Sequence, residues 1–254
     1  MTKYFVISDV HGFYNEMVAA LDAAGYDSTN PNHTLISCGD NFDRGPDNEK
    51  VMQFLLRQPN VVLLRGNHED LFDEACLKGI SMRDYMNGTV DTIIQFGNNS
   101  HKLDWTVDDM LLRAYKHTKI LFDKMVDYYE TDNYVFVHGW LPDVKNWRNA
   151  DIFAWRRARW YNGMEKALHG CYEPSGKTVV CGHWHTSWGH SRINNTSEWG
   201  EDADFSIYRN KGIIAIDGCT AYTGKVNFAG CDLKKPVGAL SEETDNSTTK
   251  NEVE

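Results

Sequence analysis

Short apolar runs, each bounded by polar residues or glycine, recur along the chain. Six of them are rich in β-branched and aromatic residues and predict strands: residues 3–8, 34–38, 61–65, 134–137, 178–181 and 212–216. The first three runs alternate with helical segments over short connections. This order predicts a parallel sheet in an α/β domain.

Between the runs, apolar residues recur with the period of a helix. Residues 13–24 predict one helix, with Gly25 placed to end it, and Asp47 is the predicted N-cap of a second helix. A third helix is expected to begin near Glu69.

A helical insertion is predicted over residues 70–130, where Thr106 and Asp109 form a capping pair at the start of its clearest helix. We assign residues 1–234 to a single domain, because a chain of 254 residues suffices for one large α/β domain. The polar residues 235–254 are expected to form a disordered tail.

Composition excludes several classes of function. The formal net charge of −10 disfavours a binder of nucleic-acid duplexes, although local cations can still attract a small phosphorylated substrate. No apolar run is long enough to span a membrane, and the N-terminus lacks the apolar region of a signal peptide, so a cytoplasmic location is expected. The six cysteines form no CxxC pair and are expected to be reduced thiols.

Residues with the chemistry of metal ligands follow five of the predicted strands, each time beside a glycine. They are Asp9 and His11; Asp40, followed by Asp43 and Arg44; Asn67, followed by His68 and Glu69; His138; and His183 with His185. Because the carboxyl ends of strands gather along one edge of a sheet, these side chains are expected to converge.

The donor types indicate which ions would bind there. Asp, Asn and His offer oxygen and nitrogen donors, and this set suits Mn²⁺, Fe or Zn²⁺ better than a soft ion. One carboxylate with two or three imidazoles would fill a single site, and the set is large enough for two. Two ions about 3.5–4 Å apart can share a carboxylate, an arrangement used in phosphate-ester hydrolysis.

The motifs DVHG (residues 9–12), GDNFDRG (39–45) and GNHE (66–69), with the later segments FVHGWLP and CGHWH, resemble those of the calcineurin-like metallophosphoesterases. More narrowly, the chain is similar to the phosphoprotein phosphatase family in its small bacterial and phage-type branch. Ser8 departs from the pattern, because the family's first motif has glycine there. The resemblance covers residues 3–230 and implies two mixed β-sheets packed as a sandwich and flanked by helices, the four-layer αββα arrangement.

The resemblance also implies which residues hold each metal. The residues carried over are Asp9, His11 and Asp40 for the first metal and Asn67, His138 and His183 for the second, with Asp40 shared. A hydroxide bridging the metals would attack phosphorus in line. His185 makes the last motif depart from the GHT of protein phosphatases and resembles nuclease-type relatives, in which this histidine binds the first metal. A supporting or surface role for His185 is the alternative.

Other residues acquire roles in substrate chemistry from the same resemblance. Arg44 would bind phosphate oxygens with its planar fork of donors. His68 would protonate the leaving oxygen, and Asp43 would orient His68. Asn67 is assigned to the substrate phosphate as well as to metal.

The segment WRRARW offers three arginines for a second phosphate contact. By the resemblance, Arg157 is chosen over Arg156 and Arg159. A basic surface stretch on a helix is the alternative explanation.

Three functional hypotheses follow. The first is a phosphoric monoester hydrolase with two divalent ions per chain, Mn²⁺ before Fe or Zn²⁺, and most simply a Ser/Thr protein phosphatase. The second is a diadenosine tetraphosphatase or another nucleotide polyphosphate hydrolase, in which Trp140, Trp184 and Trp188 would stack on a base. Ordinary packing is the competing explanation for these rings. The third is a catalytically silent metal-binding module, and the oligomeric state is left open.

Overall fold

The computed structural model describes residues 2–97 and 106–231, without the side chain of residue 231. The tail expected over residues 235–254 and part of the predicted insertion lie outside the described residues. The described part contains two mixed β-sheets with helices around them, which confirms the fold class that the sequence predicts.

The first sheet contains β1 (Lys3–Ile7), β2 (His33–Ser37), β3 (Val61–Leu63) and β9 (Ala229–Cys231). Their order is β3-β2-β1-β9. β1 pairs in parallel with β2, and β2 pairs in parallel with β3, whereas β9 runs antiparallel to β1.

The second sheet contains β4 (Tyr129–Glu130), β5 (Tyr134–Phe136), β6 (Thr178–Cys181), β7 (Tyr208–Asn210) and β8 (Ile213–Ala215). Their order is β4-β5-β6-β8-β7. The three central strands are parallel, and the two edge strands are antiparallel to their neighbours.

The helices are α1 (Tyr14–Ala23), α2 (Asn48–Arg57), α3 (Asn67–Lys78), α4 (Met82–Asn87), α5 (Thr89–Gly97), α6 (Val107–Phe122), α7 (Ile152–Ala158), α8 (Gly163–Leu168), α9 (Thr186–Ile193) and α10 (Thr220–Thr223), with a 3₁₀ turn at Trp147–Asn149. The predicted insertion contains α4, α5 and α6. No described helix is both long and apolar enough to cross a membrane.

Successive side chains of a strand point to opposite faces of its sheet, so each sheet packs against a different layer on each face. Val6 and Ile36 belong to one buried cluster with Phe136 and Val180 of the second sheet. Phe5, on the opposite face of β1, belongs to a second cluster with residues of the surrounding helices. A third cluster joins the outer face of the second sheet to α7 and α8. Three apolar interfaces therefore hold four layers together, as strand geometry allows.

Helix starts test the capping predictions. Thr106 caps α6 as expected, and its hydroxyl accepts a hydrogen bond from Asp109 N at 3.2 Å. Asp47 occupies the N-cap of α2, but its side chain makes no capping hydrogen bond and instead pairs with Lys50 at 2.7 Å. The third helix begins at Asn67, two residues before the predicted start.

Candidate functional site

The loops that follow β1, β2, β3, β5 and β6 meet along one edge of the sandwich. Backbone hydrogen bonds join them: Asp9 N donates to Gly39 O at 3.1 Å, and His11 N donates to Asp40 O at 3.0 Å. In the second sheet, Gly182 N donates to His138 O at 2.8 Å. Parallel strands thus deliver residues from distant parts of the sequence to one place.

Six of the predicted site residues have left-handed backbone conformations. Their φ angles are 52° at Asp9, 50° at His11, 54° at Asp40, 75° at Asp43, 66° at Arg44 and 69° at His183. Such conformations are rare for residues with a Cβ and cost about 1–3 kcal/mol each when surrounding structure imposes them. The site therefore stores backbone strain that the packed sandwich sustains.

Two glycines allow the loops to approach each other. A Cβ at Gly66 would collide with Asp40 Oδ1, and a Cβ at Gly182 would collide with Asp9 Oδ2. Glycine at these two positions is therefore required for the carboxylates to sit where they do.

The carboxylate of Asp40 lies at the centre of three imidazoles. Asp40 Oδ2 is 3.3 Å from His138 Nε2 and 3.9 Å from both His11 Nε2 and His68 Nε2. Burial alone would raise the pKa of Asp40, but the surrounding imidazoles, His138 first, hold that pKa well below its usual range. Asp40 is thus kept as a carboxylate in the buried site.

Two groups of potential ligands share Asp40. One consists of His11, Asp40 and His68, and the other of Asp40, His138 and His183, with the ligand atoms of each group within 4.8 Å of one another. Asn67 Oδ1 adds an oxygen 2.8 Å from His138 Nε2. These nitrogen and oxygen donors fit a borderline divalent cation.

Hydrogen bonds fix the direction of two imidazoles. His11 Nδ1 donates to Phe42 O and His138 Nδ1 donates to Cys38 O, each at 2.8 Å. A carbonyl oxygen can only accept, so the Nδ1 atoms carry hydrogen. The Nε2 atoms therefore face the centre of the site, as in histidines that ligate metals through Nε2.

Asp9 lies on the His183 side of the centre. Its Oδ2 accepts hydrogen bonds from Ser8 Oγ at 2.5 Å and from His183 N at 3.0 Å. Burial, followed by the charge of Asp217, raises the pKa of Asp9 well above its ordinary value. Negative charge is therefore crowded at this edge, which suits a bound cation.

His68 forms a pair with Asp43. His68 Nδ1 donates to Asp43 Oδ2 at 2.7 Å, while Arg44 Nη2 lies 3.3 Å from His68 Nε2 and Arg44 Nη1 lies 3.0 Å from His11 Nε2. Burial lowers the pKa of His68, but the charges of Asp40 and Asp43 outweigh burial, so the pKa is raised. Arg44 is exposed and lies over the ring nitrogens of both histidines.

Glu69, the last residue of GNHE, holds the loops that follow β2 and β3 together. Its fully buried carboxylate accepts hydrogen bonds from the backbone N–H groups of Asp40 (3.0 Å), Asn41 (2.9 Å) and Gly66 (2.8 Å). The Asn41 side chain donates a fourth at 3.1 Å. Glu69 therefore ties the loop after β2 to the start of α3.

Two of the three arginines of WRRARW are directed at Asp70. Arg159 is buried and pairs with Asp70 at 2.6 Å, and it also pairs with Asp127. Arg156 lies 3.7 Å from the same carboxylate of Asp70. Arg157, between them, is exposed. The C-terminal end of this helix lies beside His138, because a Cβ at Gly139 would be 2.6 Å from Arg159 O.

The structure does not bring His185 into either ligand group. His185 Nδ1 lies 2.8 Å from Ser187 Oγ, and His185 Nε2 lies 3.5 Å from Glu198 Oε1. Its ring centroid is 4.4 Å from that of Trp199. Both ring nitrogens are thus directed at local partners.

Asp217 is a candidate that the sequence analysis missed. It follows β8 after one residue, Ile216, is buried, and accepts a hydrogen bond from Cys219 N at 2.7 Å. Burial raises the pKa of Asp217 to about 6. The signal was available, because Asp217 precedes a glycine at the end of a predicted strand, the pattern that identified the other loops.

The tryptophans proposed to stack on a base pack into the outer layer. Trp140 is a buried member of the cluster between the second sheet and its helices. Trp184 and Trp188 are half-buried and pack against the same cluster. An exposed ring near the site comes instead from Trp160, whose centroid is 5.7 Å from that of His183.

A model of the calcineurin-like phosphoesterase family matches residues 2–187. Among curated proteins, a symmetrical bis(5'-nucleosyl)-tetraphosphatase from Coxiella burnetii is 26% identical over 150 residues, covering 59% of this chain and 46% of that protein. One from Photorhabdus laumondii is 31% identical over 118 residues, covering 46% and 42%. The matches thus span less than half the length of these relatives.

Solved structures share the fold. A protein described as a candidate diadenosine tetraphosphatase has a TM-score of 0.52 at 14% identity, covering 91% of this chain and 95% of that one. A cold-active protein tyrosine phosphatase has a TM-score of 0.52 at 17% identity, covering 91% and 73%. At these identities the likeness concerns the fold alone.

Proposed function

Because the chain belongs to the calcineurin-like phosphoesterase family, we propose that it is a binuclear metal-dependent hydrolase of phosphoric monoesters. The observation that carries the proposal is the pair of ligand groups that share Asp40. A single ion would leave either His11, or His138 and His183, facing the centre without a bound ion.

The proposed ligands are those that converge on the centre. They are His11 and Asp40 of the first group together with Asp9, which lies outside both groups, for one ion, and Asp40, Asn67, His138 and His183 for the other. His68, the third member of the first group, is kept for acid catalysis. We propose Mn²⁺ as the native ion, with Fe or Zn²⁺ as alternatives that the donor set also fits. When bound, two such ions lower the pKa of an attacking water and neutralise charge on the phosphate.

The remaining chemistry belongs to side chains around Asp40. Arg44, exposed beside His11 and His68, is positioned to bind phosphate oxygens in a bidentate manner. Asn67 and the exposed Arg157 are proposed as further phosphate contacts. His68 is proposed to donate a proton to the leaving oxygen, since its Nε2 faces the centre and its Nδ1 is held by Asp43.

Phosphoserine or phosphothreonine in proteins is the proposed substrate class. Two arginines suit a monoester, which presents more charged oxygens than a diester. The second candidate, hydrolysis of dinucleoside polyphosphates, is favoured by the names of the relatives, which are tetraphosphatases. We also propose a cytoplasmic location, since the described cysteines are free thiols.

A substrate panel tests both candidates. The protein would be loaded with Mn²⁺ and assayed on phosphoserine peptides, diadenosine tetraphosphate, and an aryl monoester with its matching diester. The proposal expects the monoesters to be preferred, and preference for the diester would contradict it. Higher kcat/KM on diadenosine tetraphosphate would establish the second candidate.

Arg157 and its neighbour form a matched pair for the phosphate contact. Arg157→Ala should raise KM for monoesters by about tenfold, the factor of one charge-assisted hydrogen bond. Arg156→Ala is the control, because that side chain is directed at Asp70. If both changes raise KM equally, Arg157 does not bind the substrate phosphate.

A further inference from the structure

The helical insertion contacts the His68–Asp43 pair, the proposed acid and its partner, through helix α5. This helix begins at Thr89, directly beside the loop that carries Asp43 and Arg44. A Cβ on Gly88 would lie 2.5 Å from Arg44 N, and the φ of Gly88 is 80°. Glycine therefore permits the helix to start in contact with the catalytic loop.

Two hydroxyls of α5 bind the carboxylate of Asp43. Thr89 Oγ1 donates to Asp43 Oδ2 at 2.7 Å, and Thr92 Oγ1 donates to Asp43 Oδ1 at 2.6 Å. Residues three apart lie on the same face of a helix. Asp43, Thr89 and Thr92 are all fully buried. Each carboxylate oxygen thus has a hydroxyl donor, and Oδ2 also keeps its hydrogen bond from His68.

The same helix holds the backbone of Asp43. Asp43 N donates to Asn48 Oδ1 at 3.0 Å, and Asn48 N donates to Gln95 Oε1 at 3.0 Å. Gln95 lies on α5, near its C-terminal end. The carboxylate and the main chain of Asp43 are therefore both fixed from the insertion.

We propose that Thr89 and Thr92 are positioning residues, through which the insertion sets the direction and strength of the His68–Asp43 pair. Two hydroxyls that donate to different oxygens of Asp43 prevent rotation of the carboxylate plane. A fixed Asp43 carboxylate accepts the hydrogen of His68 Nδ1 and so aims Nε2 at the leaving oxygen. This inference rests on the proposed function of His68 as the acid.

Substitutions that remove only the hydroxyls test the inference. Thr89→Val and Thr92→Val, singly and together, keep the β-branch, whereas Thr89→Ser and Thr92→Ser keep the hydroxyl. Thr118→Val is the control, because Thr118 is a fully buried threonine of the same insertion whose hydroxyl donates to the carbonyl of Ala114 at 3.1 Å.

Leaving-group dependence gives the decisive kinetic readout. A general acid contributes about 10²–10⁴-fold, so loss of its positioning should cost the double Val variant about tenfold in kcat on a phosphoserine peptide. The rate on nitrophenyl phosphate, whose leaving group needs little protonation, should change by less than about twofold, with KM unchanged. The Ser variants should keep wild-type rates on both substrates. Equal losses on both substrates, or no loss, would overturn the inference.

A second readout needs no turnover. In protein labelled with ¹⁵N-histidine, the Nδ1–H resonance of His68 should move in the Val variants and stay in Thr118→Val and the Ser variants. If the wild type hydrolyses neither substrate, the proposed function fails, while this resonance still tests the threonine–Asp43–His68 contact. An unchanged resonance in the Val variants would reject that contact. If the double variant does not fold, the single variants decide by the same criteria.

Discussion

Replacing Glu69 with alanine should cost more stability than any surface change on α3. The change leaves three buried backbone N–H groups, those of Asp40, Asn41 and Gly66, without their acceptor. Each buried donor left without an acceptor costs about 1–3 kcal/mol, so the three N–H groups together would lower the free energy of unfolding by about 3–9 kcal/mol. Water entering the space vacated by the side chain offsets part of this, and we expect about 3–5 kcal/mol. The whole free energy of unfolding of most domains is only about 5–15 kcal/mol, so this loss is a large part of it.

Urea unfolding in the presence of a chelator measures this loss without a contribution from bound metal. Glu74→Ala is the matched control on the same helix, because Glu74 pairs at the surface with Lys78 and Arg83. Such surface pairs contribute about 0–1 kcal/mol. If Glu69→Ala unfolds at the same urea concentration and with the same slope as Glu74→Ala, the four hydrogen bonds to Glu69 do not stabilise these loops.

Three further predictions concern metal, acid catalysis and pH. Asp40→Asn should lower the bound metal more than any other ligand change, since both groups share Asp40. Elemental analysis of the purified variants checks this. His185→Ala should keep the full metal content. His68→Asn should slow phosphoserine turnover by about 10²–10⁴-fold and spare much of the nitrophenyl phosphate rate, with equal losses contradicting the acid role. Arg148, through its hydrogen bond, lowers the pKa of Glu130 from 4.5 to about 2. A lowered folded-state pKa gives stability that is present above pH 4.5 and lost as pH falls towards 2, so Glu130→Gln should flatten acid unfolding in that window.

The sequence predicted the parts of the site that depend on strand order. Asp9, Asp40 and His138 each follow a buried strand. Parallel pairing brings the loops of Asp9 and Asp40 to one edge, and packing of the second sheet against the first adds the loop of His138. Asp217 obeys the same rule and was within reach. Asn67 and His68 belong to a helix that starts earlier than expected, with Gly66 as its N-cap and the Gly66 N–H bonded to the Glu69 carboxylate.

Contacts between distant elements could not be predicted in this way. Thr89 and Thr92 are 46 and 49 residues from Asp43 in sequence, and no local pattern signals that their hydroxyls meet its carboxylate. The arginines of WRRARW are a partial exception. Arg156 and Arg159 are three apart and share a helix face, which separates them from Arg157 once a helix is assumed.

Adjacency in sequence misleads at His185. It lies two residues from His183, but α9 begins immediately after it. The chain turns there, and the His185 ring packs against Trp199. The backbone direction at the start of α9 thus decides where the His185 ring points, although His183 is only two residues away.

Six residues at the centre of the site have left-handed backbone conformations, and this matters for engineering the protein. Glycine would relieve the backbone strain at Asp9, His11, Asp40, Asp43, Arg44 and His183, but it would also remove the hydrogen bonds that the side chains of Asp9 and Asp43 make to neighbouring loops. Where the relief of strain exceeds the loss of these contacts, a selection that rewards heat resistance alone would favour substitutions at positions proposed to hold metal and substrate, where activity and stability oppose each other. A thermostable library should keep these six positions fixed and look for its gains in the outer helices.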